Sequence, residues 1–170
     1  MKELVVKIRF LRPCLGNARD RRDGSFRLPR TPDGSIMFLQ SWQHANLRTA
    51  ASILGRHQTE VDKILWDVAV AAPHYPDCWY RRYYTNGSGK QRYIQHEALM
   101  PGQAVSISCA VPETISDADF LALMNLAGRY RGISPWKPGE FGQFVVESVR
   151  PRTAPAEPTP APETLQDETR

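Results

Sequence analysis

Long apolar runs are missing from this sequence: no stretch approaches eighteen apolar residues, so none has the length of a membrane-spanning helix. The amino-terminal run MKELVVKIRFLRP carries Lys7 and Arg9 inside its apolar part, which excludes a signal-peptide core and leads to the expectation of a cytoplasmic protein. Cysteine is scarce. Cys14, Cys78 and Cys109 are odd in number and form no CxxC pair, which fits reduced thiols and not a disulfide framework. His74 and Cys78 stand four apart with no second pair at ligand spacing, and HExxH is absent, so no metal and no cofactor is expected. The GxxxxGK[ST] phosphate loop is absent too; GSGK at 87–90 is too short and falls in a turn, which excludes an NTPase.

What remains, 170 residues with 41% apolar and 24% charged, is enough for one domain with a core. The net charge of +4 is unevenly spread. Residues 1–56 hold eleven Lys or Arg against four Asp or Glu, whereas residues 151–170 hold two against four. A basic body of this kind favours polyanions, through phosphate attraction and counterion release; a merely soluble surface is the alternative.

The chain opens on ELVVKIRFL (3–11), where Val6, Ile8 and Phe10 alternate with Val5 and Lys7 as in a half-buried strand. RPCLGNARDRRDGSFRLPRTPDG (12–34) has no period and reads as a long loop, with a short hairpin around Gly24 as one option. FLQSWQHANLRTAASILGRH (38–57) reads as a helix capped by Ser41, with Leu47, Ala50, Ala51 and Leu54 as its apolar stripe and Gly55 as its stop. EVDKILWDVAVA (60–71) turns from helix to strand. CWYRRYY and QRYIQHEAL flank TNGSGK as a hairpin across an Asn-Gly turn. QAVSISCAV (103–111) alternates cleanly. A second helix begins at Ser116, with Asp117 and Asp119 in its first turn and Phe120, Leu123, Met124 and Ala127 inward, and is expected to stop at Gly128. FGQFVVESV (141–149) closes the sheet.

This order predicts an α+β fold: a ferredoxin/RRM-like antiparallel sheet with two helices on one face and an added β-hairpin, over residues 1–150. Residues 151–170, with five prolines and little apolar, are expected to be a disordered, Pro-rich acidic tail.

GRYRGISPWKPGEFGQF (128–144) concentrates glycines, cations and aromatic rings between the second helix and the last strand. It resembles the glycine-rich loop of the RAMP (repeat-associated mysterious protein) superfamily, the RNA-binding and RNA-processing subunits of CRISPR effector complexes. The residues that carry the resemblance are Gly128, Arg131, Gly132, Lys137, Gly139, Gly142 and Phe144. DGSIMFLQSWQHANLRTAASIL (33–54) is similar to the family's entry into its first helix, and HEALMPGQAVSISCAVP (96–112) to its Glu, Pro-Gly turn and alternating strand. Pro135, Pro138 and Gln143 depart from the family pattern. The chain is also similar to small bacteriophage proteins, without a shared motif, so a phage-encoded stand-alone relative is a second form of the resemblance. The resemblance implies RNA or single-stranded nucleic acid as partner, with RAMP-like subunits or further copies of the chain beside it, and no membrane.

Within that frame the loop glycines Gly132, Gly139 and Gly142 offer a phosphate cradle, Arg129, Arg131 and Lys137 its charge, and Tyr130, Trp136 and Phe141 stacking surfaces. A helix cap, proline turns and aromatics pinning the loop to the core would use the same residues structurally. Arg19, Arg21, Arg22, Arg27 and Arg30 would clamp a backbone or remain a solvated loop. Arg81 and Arg82 interleave with Trp79, Tyr80, Tyr83 and Tyr84, followed by Arg92 and Tyr93, on a hairpin that serves either as an RNA platform or as a protected edge. Arg48 lies one turn from His44, the one candidate for general acid–base work, which has no placed partner. The expected function is non-catalytic RNA or single-strand binding within a ribonucleoprotein. The alternatives are an interaction protein of a mobile element that mimics or blocks a RAMP complex or serves virion assembly, and a metal-independent endoribonuclease using His44.

Overall fold

The computed structural model describes residues 1–72, 78–136 and 141–152. Its centre is an antiparallel sheet of four strands. Strand β1 (Lys2–Phe10) lies between β8 (Ala104–Val111) and β9 (Phe144–Pro151), and β5 (Leu65–Ala71) completes the order β5-β8-β1-β9. Alternation places Leu4, Val6, Ile8 and Phe10 of β1 inward, opposite Cys109, Ile107 and Val105 of β8, while Val6 and Phe10 meet Val149 and Phe144 of β9. Helices α1 (Gln40–Ile53) and α3 (Asp117–Tyr130) pack on that inner face, and a single turn, α2 (Gln58–Val61), precedes β5. The strand order and the two crossing helices are those of the ferredoxin-like split βαβ fold. Fully buried side chains such as Phe10, Phe38, Ile107, Phe120 and Phe144 each contribute about 1.5–3 kcal/mol.

Several local expectations are corrected. Helix α1 is capped by Leu39 with no side-chain bond, so Ser41 is not its cap. Its inward stripe is Trp42, Gln43, Asn46, Leu47, Ala50 and Ala51; Leu54 is exposed because it sits at the C-cap, where Gly55 (φ +68°) turns the chain away. The stop at Gly55 is as expected, with the Arg56 N–H on the Ala51 carbonyl and the Gly55 N–H on that of Ser52. Ser116 does cap α3, accepting from the Asp119 N–H at 3.1 Å. Gly128, however, is inside α3. The helix ends at Gly132 (φ +71°), whose N–H reaches the Ala127 carbonyl.

A second sheet is joined to the first at the far end of β1. It is built from β2 (Cys14–Leu15), β3 (Ala18–Arg19), β4 (Phe26–Arg27) and the hairpin β6 (Trp79–Thr85) with β7 (Gln91–Leu99). The expected loop at 12–34 thus contributes three two-residue strands, and β3 and β4 form the hairpin around Gly24 (φ +73°). The β6–β7 connection is not a two-residue Asn-Gly turn. Asn86 and Lys90 close it, Asn86 Oδ1 accepts the N–H groups of Ser88 and Lys90, and Gly89 (φ +76°), not Gly87, takes the left-handed position. Strand β9 runs through Pro151, and the tail expected to be disordered lies from residue 153 outside the described residues.

No helix among the described residues is long and apolar enough to cross a membrane, and no group of three or more metal-ligating side chains occurs among them.

Candidate nucleic-acid interface

RNA-recognition domains stack bases on the open face of their sheet. Here that face carries no aromatic side chain among the described residues. Alternation turns Glu3, Val5, Lys7 and Arg9 of β1 outward, opposite Ser148, Arg150 and Val145. Most of its charges are paired: Lys7 and Arg9 hold Glu147 at 2.9 and 2.8 Å, and Arg152 holds Asp67 at 2.9 Å, while exposed Arg150 makes no ion pair among the described residues. The two cations hold the Glu147 carboxyl below its usual range, first by hydrogen bonds and then by charge.

The exposed rings are on the second sheet instead. Period two on β6 sends Trp79, Arg81 and Tyr83 to one face, and the register adds Gln95 and Tyr93 of β7 beside them. Tyr83 and Tyr93 are 57% and 52% exposed, with ring centroids 6.1 Å apart. The Arg81 guanidinium lies 5.1 Å from the Tyr93 ring, and that of Arg27, from β4, lies 4.5 Å from the Trp79 ring. Asp20 and Asp23 steady Arg27 from 3.6 and 3.7 Å, and Asp20 also draws Arg22 to 3.5 Å. A groove beside this strip is lined by Arg22, Arg27, Arg30, Asp20 and Glu97. Arg19 and Arg21 stand exposed in a separate hollow with Asp20 and Gly24, Arg19 in register with Phe26, and make no ion pair among the described residues. On this side Arg22, Arg27, Arg30 and Arg81 stand against Asp20, Asp23 and Glu97, so the surface remains cationic after its internal pairing.

Glu97 anchors the arrangement and is the residue of this surface that composition did not flag. It is 4% exposed, and its carboxylate accepts the Leu28 N–H at 3.0 Å and pairs with Arg30. The signal was available: an acid in the apolar end of a strand, QHEAL, needs a buried donor set. Arg30 is therefore a structural cation at least as much as a surface one.

The opposite face of the hairpin is closed toward its root, while near the tip Tyr84, in register with Arg92, is exposed. His96 is fully buried, stacked on Phe26 at 5.1 Å and edge-on to Trp136 at 4.9 Å. Its Nδ1 and the Trp136 Nε1–H both reach the Gly16 carbonyl at 3.0 Å, and the Arg82 guanidinium covers the Trp136 ring at 4.2 Å. Trp136 and Arg82 are thus tied into the body of the protein, and Phe141 is buried against Tyr80; the rings of Trp136 and Phe141 expected to stack on bases serve packing here. Burial pushes the His96 pKa down, Arg82 pushes the same way, and the Gly16 bond opposes them. Below about pH 6.5 the unfolded chain takes up a proton that the folded ring resists, so this part of the stability is complete above that pH and is lost as pH falls toward the lowered folded value. Thermal melts between pH 7 and 5 are expected to show the midpoint falling by a few degrees in the parent, and His96→Phe is expected to lose that part of the slope.

The glycine-bearing loop is also turned inward. The N–H groups of Gly132, Ile133 and Gly142 are taken by the carbonyls of Ala127, Gly142 and Pro13, so none of them is available as a phosphate cradle. A Cβ on Gly128 would meet the Phe144 ring at 2.7 Å, and one on Gly132 would meet the Gln143 nitrogen at 2.5 Å. These are packing glycines, the structural alternative of the sequence reading. Lys137 and Gly139 lie outside the described residues.

The remaining candidates form a separate group on the helical side. Arg131 donates to Thr49 Oγ1 at 3.0 Å, Arg48 clasps Asp62 through two bonds of 2.7 and 3.0 Å, and both arginines line one open groove with Ser52 and Gln58. Arg129 and the exposed Tyr130 sit together on the last turn of α3. His44 is half-buried with Nε2 at 3.0 Å from the Ile64 carbonyl, a packing bond, and the Asp62 carboxylate near it is engaged by Arg48. The structure therefore splits the predicted set. Arg22, Arg27, Arg30 and Arg81 come to the ring-bearing side, Arg19 and Arg21 stand beside Asp20 and Gly24 with Arg19 in register with Phe26, and Arg48, Arg129, Tyr130 and Arg131 stand elsewhere.

No family model and no curated protein sequence matches this chain. Solved structures do resemble it. A chain of the Type III-B Cmr-beta complex bound to cognate target RNA superposes with a TM-score of 0.62 at 12% identity, over 88% of this chain and 60% of that one. A chain of a Type IV-B CRISPR complex gives a TM-score of 0.47 at 14% identity, over 92% and 95%. This chain thus spans about three fifths of the Cmr-beta chain, with which it shares its fold.

Proposed function

We propose that this protein binds single-stranded RNA as a RAMP-type subunit of a ribonucleoprotein, without cutting it. One observation carries the reading: guanidinium groups and exposed aromatic rings meet on the outer face of the β6–β7 hairpin, where Arg27 covers Trp79 and Arg81 sits beside Tyr93 and Tyr83. Such a strip offers stacking to any base and charge to the backbone that joins them. The fold shared with a chain of an RNA-bound Cmr-beta complex supports the class of partner and the setting in an assembly. The mobile-element alternative, a basic surface meeting an acidic protein, does not account for a row of open rings.

Titration of the protein with a 20-nucleotide unstructured RNA at several salt concentrations tests this. Contact with three to four phosphates predicts a log–log slope of about −2 to −3. RNA recovered at full length after long incubation is expected for the parent and for His44→Ala alike. Salt-independent or absent binding would overturn the reading, and cleavage lost in His44→Ala would replace it with the nuclease.

A further inference from the structure

We infer that this protein binds one long-lived internal water molecule, held between helix α1 and strand β5 by Gln43, Asn46 and Trp66. The inference is independent of the RNA reading, because all three residues lie on the closed side of the main sheet.

Gln43 and Asn46 stand three apart on the inward stripe of α1, two amides beside Leu47, Ala50 and Ala51. Trp66 points inward from the start of β5. All three are more than nine-tenths buried. Each carries a polar atom with no hydrogen-bond partner within the protein: Oε1 of Gln43, Nδ2 of Asn46 and Nε1 of Trp66. Native interiors hold few such atoms, because each gives up its bonds to solvent without a return.

The three residues line one cavity. The rest of its wall is apolar, with Leu47, Met124 and Phe144 among it, and no charged group or hydroxyl borders it. An ion would find nothing there to neutralise it. The cavity leaves about 10 Å³ for the centre of a water-sized sphere, room for a single water.

The amides set the direction of the bonds. Gln43 Nε2 donates to the Phe38 carbonyl at 3.5 Å, which leaves Oε1 as the acceptor on the other side of the group. Asn46 Nδ2 and Trp66 Nε1 each bring a hydrogen. A water among them accepts both and donates one of its own to Gln43 Oε1. Those three bonds are the usual complement of a buried water. Gln40 Nε2 already donates to the Trp66 carbonyl at 3.2 Å, so the water completes a polar seam between α1 and β5 that runs from Gln40 through Gln43 to Asn46.

NMR of the parent tests this through the Trp66 indole N–H, identified by its loss in Trp66→Phe. A cross-peak from water to that N–H is expected in both NOE and ROE spectra, with the opposite signs that a long-lived bound water gives. The lack of hydroxyls around the cavity removes their usual relay. In Trp66→Phe the water cross-peak to the Asn46 side-chain amide is expected to persist, since Asn46 and Gln43 still hold the molecule. Asn46→Leu fills the cavity and removes a donor; it is expected to abolish the Trp66 cross-peak and to shift the indole N–H upfield. Should that variant not fold, a crystal structure of the parent decides, with one water expected about 2.7–3.2 Å from all three atoms. A missing cross-peak, one with the sign of a short-lived contact, or one unchanged in Asn46→Leu overturns the inference. So does a crystal structure in which Gln43 Oε1 accepts the Trp66 N–H directly.

Discussion

Gly128→Ala is expected to lower the thermal midpoint by about 6–12 °C. The residue looks replaceable in sequence, since alanine is the better helix former. Inside α3, however, its Cα faces β9, and an added methyl would meet the Phe144 ring at 2.7 and 2.8 Å and the Phe144 carbonyl as well. Neither neighbour can retreat. Phe144 is buried, and its main chain is paired with Phe10 in the centre of the molecule. Overpacking of this kind costs about 3 kcal/mol, and each kcal/mol moves the midpoint by about 2–4 °C in a domain of this size. Gly142→Ala is expected to do at least as much damage, because φ is +72° there and the methyl would lie 2.6 Å from the Ile133 carbonyl carbon. Calorimetry on both variants checks this. Midpoints within about 2 °C of the parent would mean that the helix α3–β9 seam is looser than described, and that the loop glycines are free for another use.

Those same glycines show how far the sequence was legible. Strand alternation read true, whereas the reading of α1 missed its cap and the end of its stripe. Alternation in ELVVKIRF and QAVSISCAV identified the two central strands, and Ser116 with its acidic first turn identified the start of α3, because register and capping depend on neighbours within a few residues. The glycine-bearing loop was legible as composition only. What a Cβ there would strike is Phe144, Gly142 or Ile133, and which of these lies opposite is a tertiary fact. The three short strands at 14–27 have two residues each, too few to show a period; β2 and β4 are held by β7 seventy or more residues later, and β3 by β4. The Asn-Gly pair misled for a physical reason: with five residues in the connection, the Asn86 side chain organises the turn and the left-handed site moves to Gly89.

The candidate site divides along the same line. Interleaving of rings and arginines in WYRRYY marked the hairpin, and alternation separates Trp79, Arg81 and Tyr83 from Tyr80, Arg82 and Tyr84 without choosing between the two faces. Sequence could not say that Arg27 would come to lie over Trp79, that Trp136 would turn inward under Arg82, or that Arg131 would reach for Thr49 on the far side. The basic residues that looked like one set are separate surfaces: the hairpin carries Trp79, Tyr83 and Tyr93 with its arginines, and the helical side carries the single ring of Tyr130 beside Arg129.

That distinction carries the second large effect. Tyr83→Ala with Tyr93→Ala removes two exposed rings and no charge, and the fold should be indifferent to it. Stacking contributes about 1–3 kcal/mol per base, so even at the lower end the pair is expected to weaken RNA binding about 30-fold with the salt slope unchanged. Arg81→Gln is expected to reduce that slope by about 0.7, the signature of one lost phosphate contact on a single strand. Lys7→Gln with Arg9→Gln, on the ringless open face of the main sheet where both side chains serve Glu147, removes two charges and is expected to change affinity little.

The most direct measurement sets these variants side by side: RNA affinity of the double tyrosine variant against that of the Lys7 and Arg9 variant, under one salt condition and with matched thermal midpoints. The account predicts a loss of about 30-fold for the first and almost none for the second. A large loss on the open face with the tyrosines dispensable would contradict it, and would return the nucleic acid to the four-stranded sheet.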